Sequence, residues 1–180
     1  MQTVLTDGRI TLRPFSLADA QELLALARES AADIGPWMMW TDHVTDLAGA
    51  ERFLQERLDE WSRGEGYSFA VVDAATGRLL GGCGLTQLNR KHGLANVAYW
   101  IRTGERGRGL AAAVVRLLAP FGFGALDLQR LEIVVEPPNL ASQRVAEKLG
   151  AVREGILRAR IRNHGEPRDA VMFSLLPGDL

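Results

Sequence analysis

Polar and apolar residues alternate over Arg9-Ile10-Thr11-Leu12-Arg13, directly after the turn-forming pair Asp7-Gly8, and a period of two predicts a first strand there. Pro14 ends it, because proline has no N–H to give to a ladder. Ser16 with Asp19 resembles a helix N-cap followed by an acidic third residue, and Leu17, Ala20, Leu23, Leu24 and Ala27 recur at helical spacing, so the first helix is expected over 17–30. A linker with Gly35-Pro36-Trp37-Met38-Met39-Trp40 follows. A second helix is expected over 46–63 from Leu47, Leu54, Leu58 and Trp61, and Gly64 and Gly66 stop it. The period then shortens. Tyr67–Asp73, a turn at Ala74–Gly77 and Leu79–Leu88 read as a hairpin, and Leu94–Arg102 reads as another strand.

Leu110–Phe123 returns to helical spacing, and Pro120 is expected to kink or end it. Leu128–Val135 is an almost unbroken apolar run, as in a strand covered on both faces, and Glu136-Pro137-Pro138 must break it. Asn139 can cap a short helix over 140–149 that stops at Gly150. Val152–Arg162, a turn at Asn163-His164-Gly165 and Arg168–Leu176 close the chain as a long hairpin. The order is therefore β-αα-βββ-α-β-α-ββ. The strand–helix–strand segment 94–135 is a βαβ unit whose right-handed crossover makes its two strands parallel. The remaining pairings are expected to be antiparallel, so the class is an α/β domain with a mixed (α+β) sheet. No repeat or internal boundary is visible, and residues 1–180 are expected to form a single domain.

Composition narrows the function classes. With 180 residues, 47% apolar and 24% charged, the chain falls among ordinary globular proteins and outside disordered or low-complexity ones. Cys83 is the only cysteine, which excludes an internal disulfide and suits a reducing cytoplasmic setting. The longest uncharged runs, such as Leu79–Asn89, are much shorter than the ~18 apolar residues of a membrane span. The first residues lack the basic and apolar regions of a secretory signal. Net charge is −1, but the first ninety residues carry −5 and the last ninety +4. Bulk nucleic-acid affinity needs a basic surface and is not expected; a small phosphorylated ligand suits the positive half. Isolated His43, His92 and His164 show no ligand spacing, so no metal is expected.

The chemistry concentrates in Arg106-Gly107-Arg108-Gly109-Leu110-Ala111, between a strand and a helix. A helix N-terminus exposes unpaired amides and partial positive charge, and glycines remove the Cβ atoms that would hold a phosphate away. Small residues through Ala112 and Ala113 permit close approach, and Arg106 and Arg108 are expected to add charge. The stretch reads as a pyrophosphate cradle or, alternatively, as a plain glycine-rich turn with surface arginines. It is neither a P-loop nor the dinucleotide fingerprint. A second stretch, Asn139-Leu140-Ala141-Ser142, sits at the same end of the parallel strands, where open α/β sheets bind ligands. The Asn139 amide and the Ser142 hydroxyl fall on one helical turn. They can face a ligand between the strands, or Asn139 can simply cap.

Together these motifs resemble the GNAT superfamily of acetyl-CoA-dependent N-acetyltransferases, most closely its RimJ/RimL-like branch of ribosomal-protein acetyltransferases. Arg106, Gly109 and Ala111 match Arg/Gln-x-x-Gly-x-Gly/Ala, and Asn139, Ser142, Glu147, Lys148 and Gly150 match Asn-x-x-Ser…Glu-Lys-x-Gly. Ala98-Tyr99-Trp100-Ile101 resembles the strand before the phosphate loop. Glu154-Gly155 and Arg168-Asp169 resemble the C-terminal hairpin. The resemblance runs from Leu12-Arg13-Pro14 to Ser174-Leu175-Leu176.

The resemblance implies that coenzyme A lies in a splay between strands 94–102 and 128–135. Backbone near Tyr99, Trp100 and Ile101 would hold the pantetheine, amides of Gly107, Arg108, Gly109, Leu110, Ala111 and Ala112 the pyrophosphate, and Asn139 the pantetheine arm. Ser142 would sit near the thioester sulfur and give the leaving thiolate a proton, directly or through water. A strand amide near Ile101 could serve the oxyanion. The tyrosine that many relatives carry directly before the helix glutamate is Ala146 here, and the strand glutamate five residues before the asparagine is Val134. Glu136 borders the splay but could cap or pair with Arg108, and Glu132 is expected to pair with Arg130. No base is named, and direct transfer by proximity without a covalent enzyme intermediate is expected. Trp37 and Trp40 either wall the acceptor entrance or form a lid on their own core. Cys83 is expected to be a buried hydrophobe. The acceptor would be a protein N-terminal amine or a small-molecule amine, the partner set excludes nucleic acid and membrane, and the chain would act as a monomer or homodimer. The alternative is an acyl-CoA-binding or sensory module without turnover.

Overall fold

A computed structural model describes residues 3–180, and the elements expected from periodicity form in it with shifted ends. Strand β1 (Leu5–Thr6) was not expected; two residues are too few to show a period, and they pair with β2 (Ile10–Pro14) across the Asp7-Gly8 turn. Helix α1 (Ala20–Ile34) follows a 3₁₀ turn at Leu17–Asp19, where the Asp19 carboxylate accepts from the Ser16 N–H at 2.8 Å and from the Arg13 guanidinium at 2.6 and 2.8 Å. It outruns the expected end at residue 30 because Gly35-Pro36 is the first real breaker. Helix α2 (Leu47–Arg63) is capped by the Asp46 side chain on the Gly49 N–H at 2.7 Å, and ends on Gly64 at φ 66°.

Strands β3 (Tyr67–Asp73), β4 (Leu79–Asn89) and β5 (Leu94–Ile101) form an antiparallel meander. Along β3, Phe69 and Val71 join one core layer while Ala70 and Val72 join the other, which is why this strand reads as unbroken apolar sequence. Helix α3 (Leu110–Pro120) carries on beyond its proline as a wider π turn over Phe121–Ala125. Proline cannot supply the helical N–H, and the turn re-forms with Leu126 N–H on the Phe121 carbonyl at 3.2 Å. It seats Phe121 against Trp61, Tyr67 and Phe69. Strand β6 (Arg130–Val135), helix α4 (Leu140–Lys148) and the hairpin β7 (Val152–Asn163) with β8 (Glu166–Leu175) complete the chain.

Among the described residues, eight strands form one mixed sheet in the order β1-β2-β3-β4-β5-β6-β8-β7. The pair β5/β6 is its parallel join, and the two strands stay paired only through Leu94↔Arg130, Ala95↔Leu131 and Asn96↔Glu132. Beyond that point β5 keeps to β4 as far as Ile101↔Gly81, and β6 keeps to β8 as far as Val135↔Val171. The facing edges of Val97–Ile101 and Ile133–Val135 therefore part, giving the splay that the resemblance implied. Among the described residues no helix is long and apolar enough to cross a membrane.

Candidate functional site

A cavity of about 420 Å³ opens in the fork. Its walls are β5 from Asn96 to Ile101, β6 from Ile133 to Glu136, the loop entering α3, the first turns of α4, and Ile34, Trp37 and Met38 from the α1–α2 connection. Of the residues singled out by sequence, the structure brings Trp37, Tyr99, Trp100, Ile101, Arg106, Gly107, Gly109, Leu110, Ala111, Ala112, Asn139 and Ser142 to this cavity. Arg108 and Trp40 do not line it.

At the loop, the N–H groups of residues 107–112 have no hydrogen-bond partner among the described residues. The Arg106 amide before them bonds the Thr103 carbonyl, and the Ala113 amide after them bonds the Gly109 carbonyl. Gly107 and Gly109 lie at φ 75° and 76°, left-handed backbone that side chains resist, and a Cβ built on either meets no atom within 4 Å. Unpaired amides at a helix N-terminus can receive an anion.

Both arginines of the loop have carboxylate partners. Arg106 Nη1 donates to Asp33 Oδ1 at 2.8 Å, and Arg108 is ion-paired with Glu105, which also takes Arg78. Thr103 Oγ1 donates to the other Asp33 oxygen at 2.6 Å. The Thr103 and Arg106 hydrogen bonds hold the Asp33 carboxyl below its ordinary range. Arg106 braces the loop against α1, while Arg108 pairs with Glu105 inside the loop. Uncommitted positive charge comes instead from Arg144 and Lys148, one turn apart on α4; both line the cavity, and neither has an ion pair among the described residues. Sequence reading passed over Arg144, although an i, i+4 basic pair facing a phosphate cradle was visible.

Asn139 caps α4, its Oδ1 accepting from the Ser142 N–H at 3.1 Å, while Nδ2 has no partner among the described residues. Capping and lining thus coincide. The Ser142 hydroxyl lies 2.9 Å from the Tyr99 hydroxyl, which also reaches the Ser142 carbonyl at 3.2 Å. Burial pushes the Tyr99 phenol up to about 12, against the lowering effect of Ser142, so it stays protonated at neutral pH. Tyr99 was expected to act through its backbone; its side chain brings a phenol to the serine where Ala146 leaves none. Cys83 is buried in β4 and burial pushes its thiol up, which leaves no thiolate nucleophile there.

On the opposite face, Glu136 Oε1 accepts from Asn163 Nδ2 at 2.5 Å, and the same nitrogen donates to the Pro36 carbonyl at 2.8 Å. The Glu136–Arg108 pairing weighed from sequence does not form, because Arg108 is engaged with Glu105. Glu132 pairs with Arg130 at 3.0 Å as expected. His164 adds contacts to Gly35 O at 3.0 Å and Asp42 at 3.2 Å, so the β7–β8 turn clamps the α1–α2 connection over the cavity. Trp37 hangs from that connection into the cavity. Trp40 turns instead into the core, with ring centroids 4.7 Å from Trp100 and 5.3 Å from Phe53. Stacking on Trp100, whose indole covers Gly82, leaves Trp40 no route to the cavity. Among the described residues no three His, Cys, Asp or Glu side chains gather as metal ligands would.

The acetyltransferase (GNAT) domain family matches residues 9–152. "Uncharacterized N-acetyltransferase p20" of Bacillus licheniformis is 32% identical, with 98% of this chain and 97% of that protein covered. A Vibrio cholerae structure described as a "putative ribosomal-protein-serine acetyltransferase" superposes with a TM-score of 0.88 at 31% identity, covering 97% and 98% of the two chains. Mycobacterium smegmatis RimJ, solved in complex with CoA-disulfide, shares the fold at a TM-score of 0.85 and 22% identity, over 99% of this chain and 88% of that one.

Proposed function

The chain belongs to the GNAT acetyltransferase family and catalyses acetyl-CoA-dependent transfer to an amine; on that premise we propose how its own residues divide the work. Acetyl-CoA supplies an activated acetyl group, and the fork fits it. The run of unpartnered amides at residues 107–112 suits a pyrophosphate, with Arg144 and Lys148 adding charge from α4. The parted edges of Val97–Ile101 and Ile133–Val135 suit an amide-bearing pantetheine, which can hydrogen-bond as a third strand. Free edge amides near Ile101 are in place to serve a developing oxyanion.

Proton supply at the leaving sulfur falls to Tyr99 and Ser142 acting together. A phenol held protonated by burial lies 2.9 Å from the Ser142 hydroxyl and can pass it a proton, and Ser142 lines the cavity. The observation that carries this reading is the coincidence of the amide cradle and the Tyr99–Ser142 pair on one cavity in a forked parallel strand pair. With Cys83 sealed away, transfer is direct.

The acceptor is a primary amine, of a protein N-terminus or of a small molecule. The similarity to the Vibrio cholerae protein supports the first. A single buried cysteine supports a reducing, cytoplasmic setting. The test measures coenzyme A affinity by calorimetry and acetyl transfer across a panel of amines and N-terminal peptides. Binding with turnover of at least one amine is expected; binding without any turnover marks a non-catalytic acyl-CoA-binding module.

A further inference from the structure

The hairpin of β7 and β8 turns through only two residues, His164 at φ 45° and Gly165 at φ 81°, with Asn163 and Glu166 paired across it. Two successive left-handed residues make a tight turn in which Asn-Gly is the favoured pair. A histidine takes the first place here, and it reaches the α1–α2 connection through three groups. Its main-chain N–H meets Met39 Sδ at 3.3 Å, Nε2 lies 3.0 Å from the Gly35 carbonyl, and Nδ1 lies 3.2 Å from Asp42 Oδ2. Asn163 beside it donates to the Pro36 carbonyl and to Glu136. The hairpin tip thus holds residues 35, 36, 39 and 42. These flank Trp37 and Met38 in the chain, and both of those line the cavity.

Both partners of the His164 ring are acceptors. A neutral imidazole has one N–H and serves one of them; an imidazolium has two and serves both. In either neutral form a bare ring nitrogen turns its lone pair toward an oxygen, a carboxylate at Asp42 or a carbonyl at Gly35. The titratable and charged groups about the ring are Asp42 and its neighbour His43 on the connection, Glu136 of β6 through Asn163, and Arg162 and Glu166 on the hairpin. Of these, Asp42 alone pairs with the ring among the described residues.

We propose that His164 is a positioning residue whose charged form latches the roof of the cavity: the α1–α2 connection, and with it the Trp37 wall, is held when the ring is protonated and loosened when it is not. Histidine is the side chain that changes charge near neutral pH. As pH rises the ring gives up one of its two roof contacts. Asn163 keeps its hold on Pro36 throughout, so the roof slackens without coming away. The amide cradle of residues 107–112 lies outside these contacts, so the effect falls on the acceptor side. That consequence for the acceptor rests on the transferase reading.

His164→Asn gives the turn its favoured Asn-Gly pair and removes the ring, so the hairpin is retained. Acceptor KM is measured with one amine from about pH 5.5 to 8, the range in which histidines charge. The ionisation of the amine itself cancels in the ratio of variant to parent. That ratio is expected to be about threefold or more at the acid end, as suits a half-exposed ion pair, and to decline as pH rises. Coenzyme A affinity should not follow it. Asp42→Asn leaves the Gly35 contact, removes the charge, and should show the same trend against the parent. A ratio that stays flat across the range overturns the latch. If coenzyme A binds but no amine is acetylated, the transferase reading fails separately, and amide hydrogen exchange judges the latch. The N–H groups of Thr41 and His43 bond Met38 and Trp40 within the roof. They should exchange faster in His164→Asn than in the parent at the acid end, by a factor that shrinks at the other; equal factors at both ends refute the proposal.

Discussion

Gly109→Glu tests the anion cradle at its centre. Gly109 has φ 76° and ψ 8°, and an added Cβ meets nothing within 4 Å, so the free protein suffers backbone strain without a clash. Left-handed backbone costs an L-residue about 1–2 kcal/mol, and at this chain length each kcal/mol lowers Tm by roughly 2–4 °C. The folded variant should therefore be plentiful at 25 °C. The new carboxylate lies at the mouth of the amides of residues 107–112. One phosphate charge at roughly 5 Å and an effective dielectric near 20 is worth about 3 kcal/mol of repulsion, and half of that surviving solvent screening already weakens binding more than about tenfold. Gly109→Ala carries the same strain without the charge, and separates the two effects. Calorimetric titration of coenzyme A into the parent and both variants, each checked by thermal unfolding, reads the difference. A folded Gly109→Glu protein that binds coenzyme A within threefold of the parent would falsify the cradle.

Ser142→Ala should lower kcat about tenfold or more while coenzyme A affinity holds; Tyr99→Phe should fall by a similar factor, and the double variant little further, because the pair acts as one relay. Additive losses in steady-state kinetics would separate the two residues. Trp37→Ala should raise the acceptor KM several-fold with donor KM unchanged, and the reverse pattern would move the tryptophan to the donor side. Glu154 is held down at about 2, from 4.5, chiefly by the Arg130 guanidinium and then by Ser174. A depressed carboxyl favours the charged form in the folded state, so its contribution is complete above pH 4.5 and is lost as pH falls toward 2. Urea unfolding across that window should be flatter for Glu154→Gln, and parallel curves would remove the ion pair from the account.

The sheet was legible because its strands carry short-period or strongly apolar signals: Ile10-Thr11-Leu12 alternates, and Leu131, Ile133, Val134 and Val135 give β6 an apolar bias that only Glu132 interrupts. Where a signal needs length it failed, as for the two residues of β1. The π turn behind Pro120 was legible only as an interruption, since proline announces a lost bond without saying how the chain recovers it. The glycine loop and the capped turn of α4 are local motifs and were read as such. Partnerships across the chain were not. Asp33 neutralises Arg106 and Tyr99 meets Ser142 only because α1 and α4 dock on the same fork. Asn163 looked like one member of a turn, yet its side chain joins Pro36 to Glu136. Such contacts join residues far apart in the chain, and no periodicity encodes them.

The fork divides the sheet into a five-strand lobe, β1 to β5, and a three-strand lobe, β6, β8 and β7, stitched together by three backbone rungs. A bound pantetheine would replace the rungs missing above them, so the donor is also a structural splint.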